Sequence, residues 1–284
     1  MTPTGRGFGL TLIAPIAIFY GVFLIAPISF FLIMSVLRYD AFELYKPELT
    51  NENFTRLLFD PFYRGIIYLT LKIAALTTVF SLLLGYPLAY QLSRTRSAWR
   101  GILLFLVVAP LMTGIIVRTY GWIVLMGTNG LINGVLLWLG IVGEPLRILG
   151  TETAVVIALV HILMPYMVFP VFSALVSQDP NLERAASTLG AGRLRTFAEI
   201  TLPLSRAGVV MGSVLVFTLS AGAVVTPALL GGKNVTMLGQ QIYDLVLHTL
   251  NWPLASAVAC ILVVLQFSII FLYLRGSRRG ARAS

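Results

Sequence analysis

The chain has 284 residues, 58% of them hydrophobic and only 11% charged. A soluble domain carries about 25% charged residues, so too little polar surface is present to solvate a globule, and the composition points to lipid. The formal charge of +9 is no nucleic-acid signature, because the basic residues sit at the ends of apolar runs and form no stripe.

A membrane helix needs roughly 20 mostly apolar residues. Six runs meet that need, approximately at 10–37, 65–92, 99–126, 152–177, 206–230 and 253–275. The first is too long for the apolar part of a cleaved signal and lacks a clear small-residue cleavage site, so it reads as a retained span. Residues 38–64 follow, with Tyr39, Phe42, Phe54, Phe59, Phe62 and Tyr63 as aromatic anchors. Prolines and glycines punctuate the spans: Pro15 and Pro27, Gly85 and Pro87, Pro110 and Gly114, then Pro165 and Pro170. Each proline removes a backbone donor and invites a kink. Asn129–Gly140 is apolar but short, and is expected as a re-entrant or interfacial helix. The fifth run holds Gly212, Ser213, Ser220, Ala221, Gly222 and Ala223, small residues that let helices approach closely, so it is expected to pack centrally. Met237–Leu250 reads as another short helix before the sixth run. The lone Cys260 lies in an apolar run and acts as a small hydrophobe.

The charges fix the orientation. Twelve of the twenty basic residues fall in the N-terminus, the loops at 93–100 and 178–206, and the C-terminus. They are Arg6, Arg94, Arg96, Arg100, Arg184, Arg193, Arg195, Arg206, Arg275, Arg278, Arg279 and Arg282, and their acids are only Asp179, Glu183 and Glu199. The opposite loops balance their charges. Positive segments stay inside, so both termini are expected in the cytoplasm.

Between the fourth and fifth runs lies QDPNLERAASTLGAGRLRTFAEITLPLSR, residues 178–206, too polar to span. Asp179 is a good N-cap with Pro180 in the first helical position. A short helix is expected from Pro180 to about Leu189, broken by Gly190 and Gly192. A second follows, with Leu194, Phe197 and Ile200 on one side, until Leu202-Pro203 stops it. The product is a helix–turn–helix elbow at the cytoplasmic surface.

Ala185, Ala186, Gly190, Ile200, Leu202 and Pro203 fall where the "EAA" loop of type I ATP-binding-cassette importer permeases has its alanines, glycine and I-x-L-P. Arg184 stands where that loop has glutamate, with Glu183 one residue earlier. Arg118–Trp122, Gly127–Asn133 and Val225–Gly232 resemble permeases of the spermidine/putrescine type, in particular the first of the two permeases usual in such systems. The resemblance implies an all-α integral membrane protein with six transmembrane helices and the type I importer permease fold, multi-pass in the bacterial inner membrane. It implies 1–64 as an N-terminal helix plus periplasmic segment, 65–275 as the transmembrane core, and 276–284 as a basic cytoplasmic tail. It also implies that Glu183, Arg184, Ala185, Ala186, Gly190, Arg193, Ile200, Leu202 and Pro203 contact a cytoplasmic ATPase. The implied partners are two such ATPase subunits that bind ATP and Mg, a second, different permease chain, and a periplasmic or lipid-anchored substrate-binding protein. The implied cargo is a polyamine or related amine. Several polyamine permeases carry an acid after the fifth-span glycine, where this chain has Gly222-Ala223, so an amino acid derivative, an opine or a phosphonate stands as the alternative.

Ionisable groups at depth are functional candidates by default. Lys72 and Arg118 have stems long enough to snorkel outward or to meet a structural partner; lining a transport path is the other reading. Acids and aromatic faces suit a cation, which brings in Glu152, Asp244, Tyr120, Trp122 and Tyr243. An interfacial aromatic belt accounts for the aromatics equally well. With Thr226 from the resembling segment, the path candidates are Arg118, Tyr120, Trp122, Thr226, Tyr243 and Asp244. His161 and His248 are isolated and make no metal site. The sequence has no G-x-x-x-x-G-K-[ST], so ATP hydrolysis belongs to a separate chain, and this one carries no cofactor or catalytic residue of its own. An ion-coupled secondary transporter would want intramembrane acids or inverted repeats, neither of which stands out.

Overall fold

The computed structural model describes the backbone of residues 4–95 and 99–280, and side chains from 14 to 95, 99 to 232, 234 to 271 and at 275. The expected inside-facing Arg96 and Arg282, the side chains of Arg6, Arg278 and Arg279, and, of the tail at 276–284, all side chains and the backbone of 281–284 lie outside the described residues. In chain order the elements are α1 (Thr4–Ser35), β1 (Leu37–Asp40), β2 (Leu44–Leu49), α2 (Glu52–Phe59), α3 (Pro61–Arg94), α4 (Trp99–Val108) and α5 (Ile115–Met126). Then come α6 (Leu131–Trp138), α7 (Glu152–Val176), α8 (Pro180–Thr188), α9 (Arg193–Thr196), α10 (Leu202–Leu204), α11 (Arg206–Ala221), α12 (Leu238–Leu247) and α13 (Trp252–Gly280). Wider π turns interrupt the helices at Phe197–Thr201 and Pro227–Gly231.

Five of the described stretches are long and apolar enough to cross a membrane: Ala14–Ser35, Pro61–Arg94, Ile115–Trp138, Glu152–Val176 and Trp252–Phe271. A sixth appears if Arg193–Leu204 and Arg206–Ala221, bent by 62°, are one span. Two of the expected runs therefore change shape. The run at 99–126 is not one helix. Pro110 sits in a tight 3-10 turn over Ala109–Met112, and the chain is extended at Thr113 and Gly114 before α5 begins. The long apolar stretch instead continues from α5 into α6 across a break at 127–130. There Asn133 is fully buried; its amide donates to the Gly127 and Leu146 carbonyls at 3.0 Å each and its oxygen accepts from the Leu146 amide at 2.8 Å. The run at 206–230 likewise yields only sixteen helical residues in α11, which ends at Ala221 with Gly222 as its C-cap.

The chain divides into two compact units, one of residues up to 64 with 241–263, the other of 65–240 with residues from 264 on. In the first unit, the described side chains of α1 lie almost wholly on the surface, and only Met34 and Ser35 at its end are buried. Asn53 on α2 ties that end down, donating to the carbonyls of Ser35 and Leu37 at 3.0 and 2.9 Å. β1 and β2 form an antiparallel hairpin. At its turn the Asp40 carboxylate meets Lys46 at 2.7 Å and accepts from the amides of Phe42 and Glu43. The Lys46 contact, then those amides, hold the Asp40 carboxyl at about 2.

In the second unit α7 is the central element. Residues from Ala154 to Leu175 supply most of the buried cluster, joined by Ile73, Ala89 and Leu92 of α3 and Val216 of α11. α11 packs against α7 through two glycines. A Cβ on Gly208 would lie 2.4 Å from the Pro170 carbonyl oxygen, and one on Gly212 would lie 2.8 Å from the Met167 sulfur. The expected close packing of this small-residue helix thus has a definite neighbour.

Candidate functional site

The elbow begins at Gln178, whose amide donates to the Thr201 carbonyl at 3.1 Å and so pins the entry of the loop to its exit. Asp179 caps α8, accepting from the Asn181 amide at 2.9 Å, with Pro180 in the first turn. Gly190 ends the helix at φ +82 with open space around its Cα; a left-handed residue at that point is the usual glycine stop. Chain direction then reverses into α9.

One side of the elbow is clamped to the end of α3. Glu183 accepts from the Arg94 guanidinium and, at 2.8 Å, from the Thr201 hydroxyl. Burial pushes the Glu183 carboxyl up, but the Arg94 and Thr201 hydrogen bonds more than offset it and leave it below its ordinary value. The Phe197 ring stands edge-on to Tyr86 and Tyr90, with centroids 5.8 and 5.6 Å apart. Arg94 covers the Tyr90 ring at 5.0 Å, and the Tyr86 hydroxyl meets Ser205 at 2.9 Å. Around this clamp is a cavity of about 340 Å³, lined by Tyr90, Arg94, Glu183, Arg193, Phe197 and Thr201 among others.

The other side of the elbow is bare. Leu189 is 87% and Leu194 86% exposed, and Leu182 is 45% exposed. Arg184 is exposed and donates to the Asn181 side chain at 3.3 Å, its one side-chain hydrogen bond among the described residues. Ala185 and Arg193 are exposed, Ala186 is buried, Ile200 and Pro203 are half-buried, and Leu202 is exposed. The residues matched to the loop pattern thus fall on two faces. Glu183, Ala186 and Ile200 face the chain's own helices, and Arg193, though exposed, lines the cavity at the clamp, while Arg184, Ala185, Gly190 and Leu202 face away. Arg94, Thr201 and the aromatic trio were not legible as a unit, because partners 89 residues apart leave no periodic signature.

The path candidates do not form a single cluster. Trp122 donates through its indole N–H to His161 Nδ1 at 3.3 Å. Thr226 is fully buried, with its hydroxyl 3.4 Å from that of Thr119. Arg118 has Nε and Nη1 buried without an acceptor among the described residues. Tyr120 is exposed. In the other unit, Asp244 lies 3.5 Å from His248, and the Tyr243 ring is 5.9 Å from the same imidazole. Lys72 does have a structural partner: its ammonium meets Glu152 at 2.6 Å. Among the described residues no group of three or more His, Cys, Asp or Glu is placed to hold a metal.

Residues 6–279 match the family of binding-protein-dependent transport system inner membrane components. The chain is 38% identical over 247 residues to the spermidine/putrescine transport system permease protein PotB of Haemophilus influenzae, covering 87% of this chain and 86% of that one. It is 36% identical over 244 residues to the PotB of Escherichia coli, covering 86% and 88%. A crystal structure of a bacterial alginate importer, in complex with a periplasmic protein bound to alginate pentasaccharide, contains a chain of the same fold. It matches with a TM-score of 0.79 at 18% identity, over 96% of this chain and 95% of that one.

Proposed function

Since the chain belongs to the family of binding-protein-dependent transport system inner membrane components, we propose that its bare elbow face receives a cytoplasmic ATPase and that its cargo is a polyamine. Its membership makes it a transport subunit of an ATP-driven importer in the bacterial inner membrane, and not an enzyme. A binding protein belongs to every system of this family by definition. The finer assembly is our reading: a second, different permease chain completes the pathway, and two ATPase subunits bind ATP and Mg.

The observation that carries the ATPase contact is the split of the elbow into two faces. A clamped inner face transmits motion to α3 and α11. An outer face with Leu182, Leu189 and Leu194 at its surface gains by burial against a partner, about 25 cal/mol for each Å² of apolar area. Arg184, in place of the glutamate of the loop pattern, offers a cation there and calls for an acidic group on the ATPase. ATP binding draws the ATPases together and shifts the pathway between outward and inward states, as a ligand with different affinity for two states must. The polyamine reading rests on the relatives' specificity.

The test is uptake of labelled spermidine and putrescine into cells that lack their own polyamine importers and express this system. Uptake should stop when the ATPase is inactivated. Uptake sustained by a proton gradient alone would sink the importer mechanism, and an intact ATPase-dependent system indifferent to polyamines would sink the cargo. One observation favours a second cargo. The buried, acceptor-less Nε and Nη1 of Arg118 suit a carboxylate or phosphonate, since a buried cation without a counter-charge is costly. Competition by amino acid derivatives, opines and phosphonates separates the two readings.

A further inference from the structure

We propose that a groove between α3 and α7 holds one acyl chain of an outer-leaflet phospholipid, with a zwitterionic amine-bearing headgroup seated on the Lys72–Glu152 pair. The groove has a volume of about 610 Å³. Its α3 wall is Lys72, Leu76, Phe80 and Leu84, each four residues from the last, so all four stand on one face of the helix. The α7 wall runs in step from Glu152 to Met164. Twelve residues of helix on each side make a trough about 18 Å long.

Three features of this trough select its occupant. The first is depth. Both helices run inward from outer loops, so the ion pair lies at the outer end and Leu84 and Met164 at the inner. About 18 Å is close to one leaflet, half of a hydrocarbon core about 30 Å thick. The second is capacity. A volume of about 610 Å³ drawn out over that length accommodates a single extended hydrocarbon chain. The third is chemistry. The polar groups of the wall are matched among themselves, Lys72 with Glu152 at 2.6 Å and Trp122 with His161 at 3.3 Å. Apart from Thr153 beside the rim and the second His161 nitrogen, the rest of the wall is apolar, so a polar solute finds little to bind below the rim.

The rim itself has capacity to spare. Lys72 and Glu152 are each 40% exposed. An ammonium has three donors and a carboxylate about four acceptor positions, so one mutual contact leaves both able to bind outward. A phosphate for Lys72 and a protonated amine for Glu152 are the two charges of phosphatidylethanolamine. Phosphatidylglycerol lacks the amine. The quaternary ammonium of phosphatidylcholine has no N–H to donate.

The proposal is independent of the cargo. Its test uses the complete transporter, reconstituted in nanodiscs with equal parts of the three phospholipids, then taken up in mild detergent. Lipids that stay bound are counted by mass spectrometry. Wild type should retain one phosphatidylethanolamine per copy of this chain, favoured about fivefold over the others, the bias expected of one ionic contact at the membrane surface. Ile157→Trp and Leu84→Trp, at partly exposed positions, should each fill the trough and abolish retention. Lys72→Met with Glu152→Gln should keep one lipid but lose the headgroup preference. Equal retention by wild type and both tryptophan variants would mean surface lipid only and would overturn the proposal. So would wild type retaining no lipid, or a photo-crosslinker at Leu84 capturing a helix of another subunit.

Discussion

At the scale of single residues, the loop pattern located the elbow but not the roles within it. Glu183 sits next to the position where the pattern wants a glutamate, and sequence alone left it on the list of ATPase contacts. Its place in the structure is inward, shared by Arg94 and Thr201. Helical spacing explains the difference, since adjacent residues diverge by about 100° around the axis. Glu183→Gln replaces a charge-assisted clamp with neutral contacts and should cost about 1–2 kcal/mol. Hydrogen exchange in α8 should then quicken about 5- to 30-fold. Unchanged exchange would show that the clamp does not hold the elbow. The pH dependence has a definite sign. The Glu183 carboxyl titrates below its ordinary value when the clamp is formed, so the clamp's contribution is complete above the usual carboxylate range. It is lost as pH falls through the lowered value. Protection of α8 relative to the intrinsic, pH-dependent exchange rate should be flat from pH 8 down to about 5 and fall only below the usual carboxylate pKa of about 4.3.

At the scale of elements, the apolar runs at 10–37, 65–92, 152–177 and 253–275 became long helices because nothing in them interrupts the backbone ladder enough to break it. The runs at 99–126 and 206–230 did not. Hydropathy registers how apolar a segment is, but not where an extended Thr113-Gly114 or the helix end at Gly222 divides it. The small residues of the fifth run were a better guide, because close approach requires them wherever the helix lies. Gly208→Val puts carbon where the Pro170 carbonyl stands, and should destabilise the α7–α11 crossing by about 1–3 kcal/mol. A lowered melting temperature in detergent checks this. Gly101→Ala, with nothing within 4 Å of its added carbon, is the neutral control. Gly190 has space but the wrong backbone for other residues: at φ +82, Gly190→Val should cost about 1–2 kcal/mol. It should uncouple ATP hydrolysis from uptake while the chain still inserts in the membrane; normal uptake would reduce the elbow to a surface helix.

At the scale of the whole molecule, composition fixed the solvent and charge asymmetry the orientation, since both are sums over many residues and tolerate local error. The family followed from six positions in one loop. The cargo did not, because it is set by a few side chains and by partners this chain does not contain. The described side chains of α1 lie almost wholly on the surface, so most of that helix's stabilisation must come from lipid or another subunit. The clamp at Arg94 has one more consequence, a mechanical one. From Arg94 back to Lys72 the chain is a single uninterrupted helix, a rod of about 33 Å. With the ATPase docked as we propose, a load applied at the elbow reaches the Lys72–Glu152 pair along that rod. With the trough filled as we propose, the composition of the outer leaflet then becomes a brake or a lubricant for import.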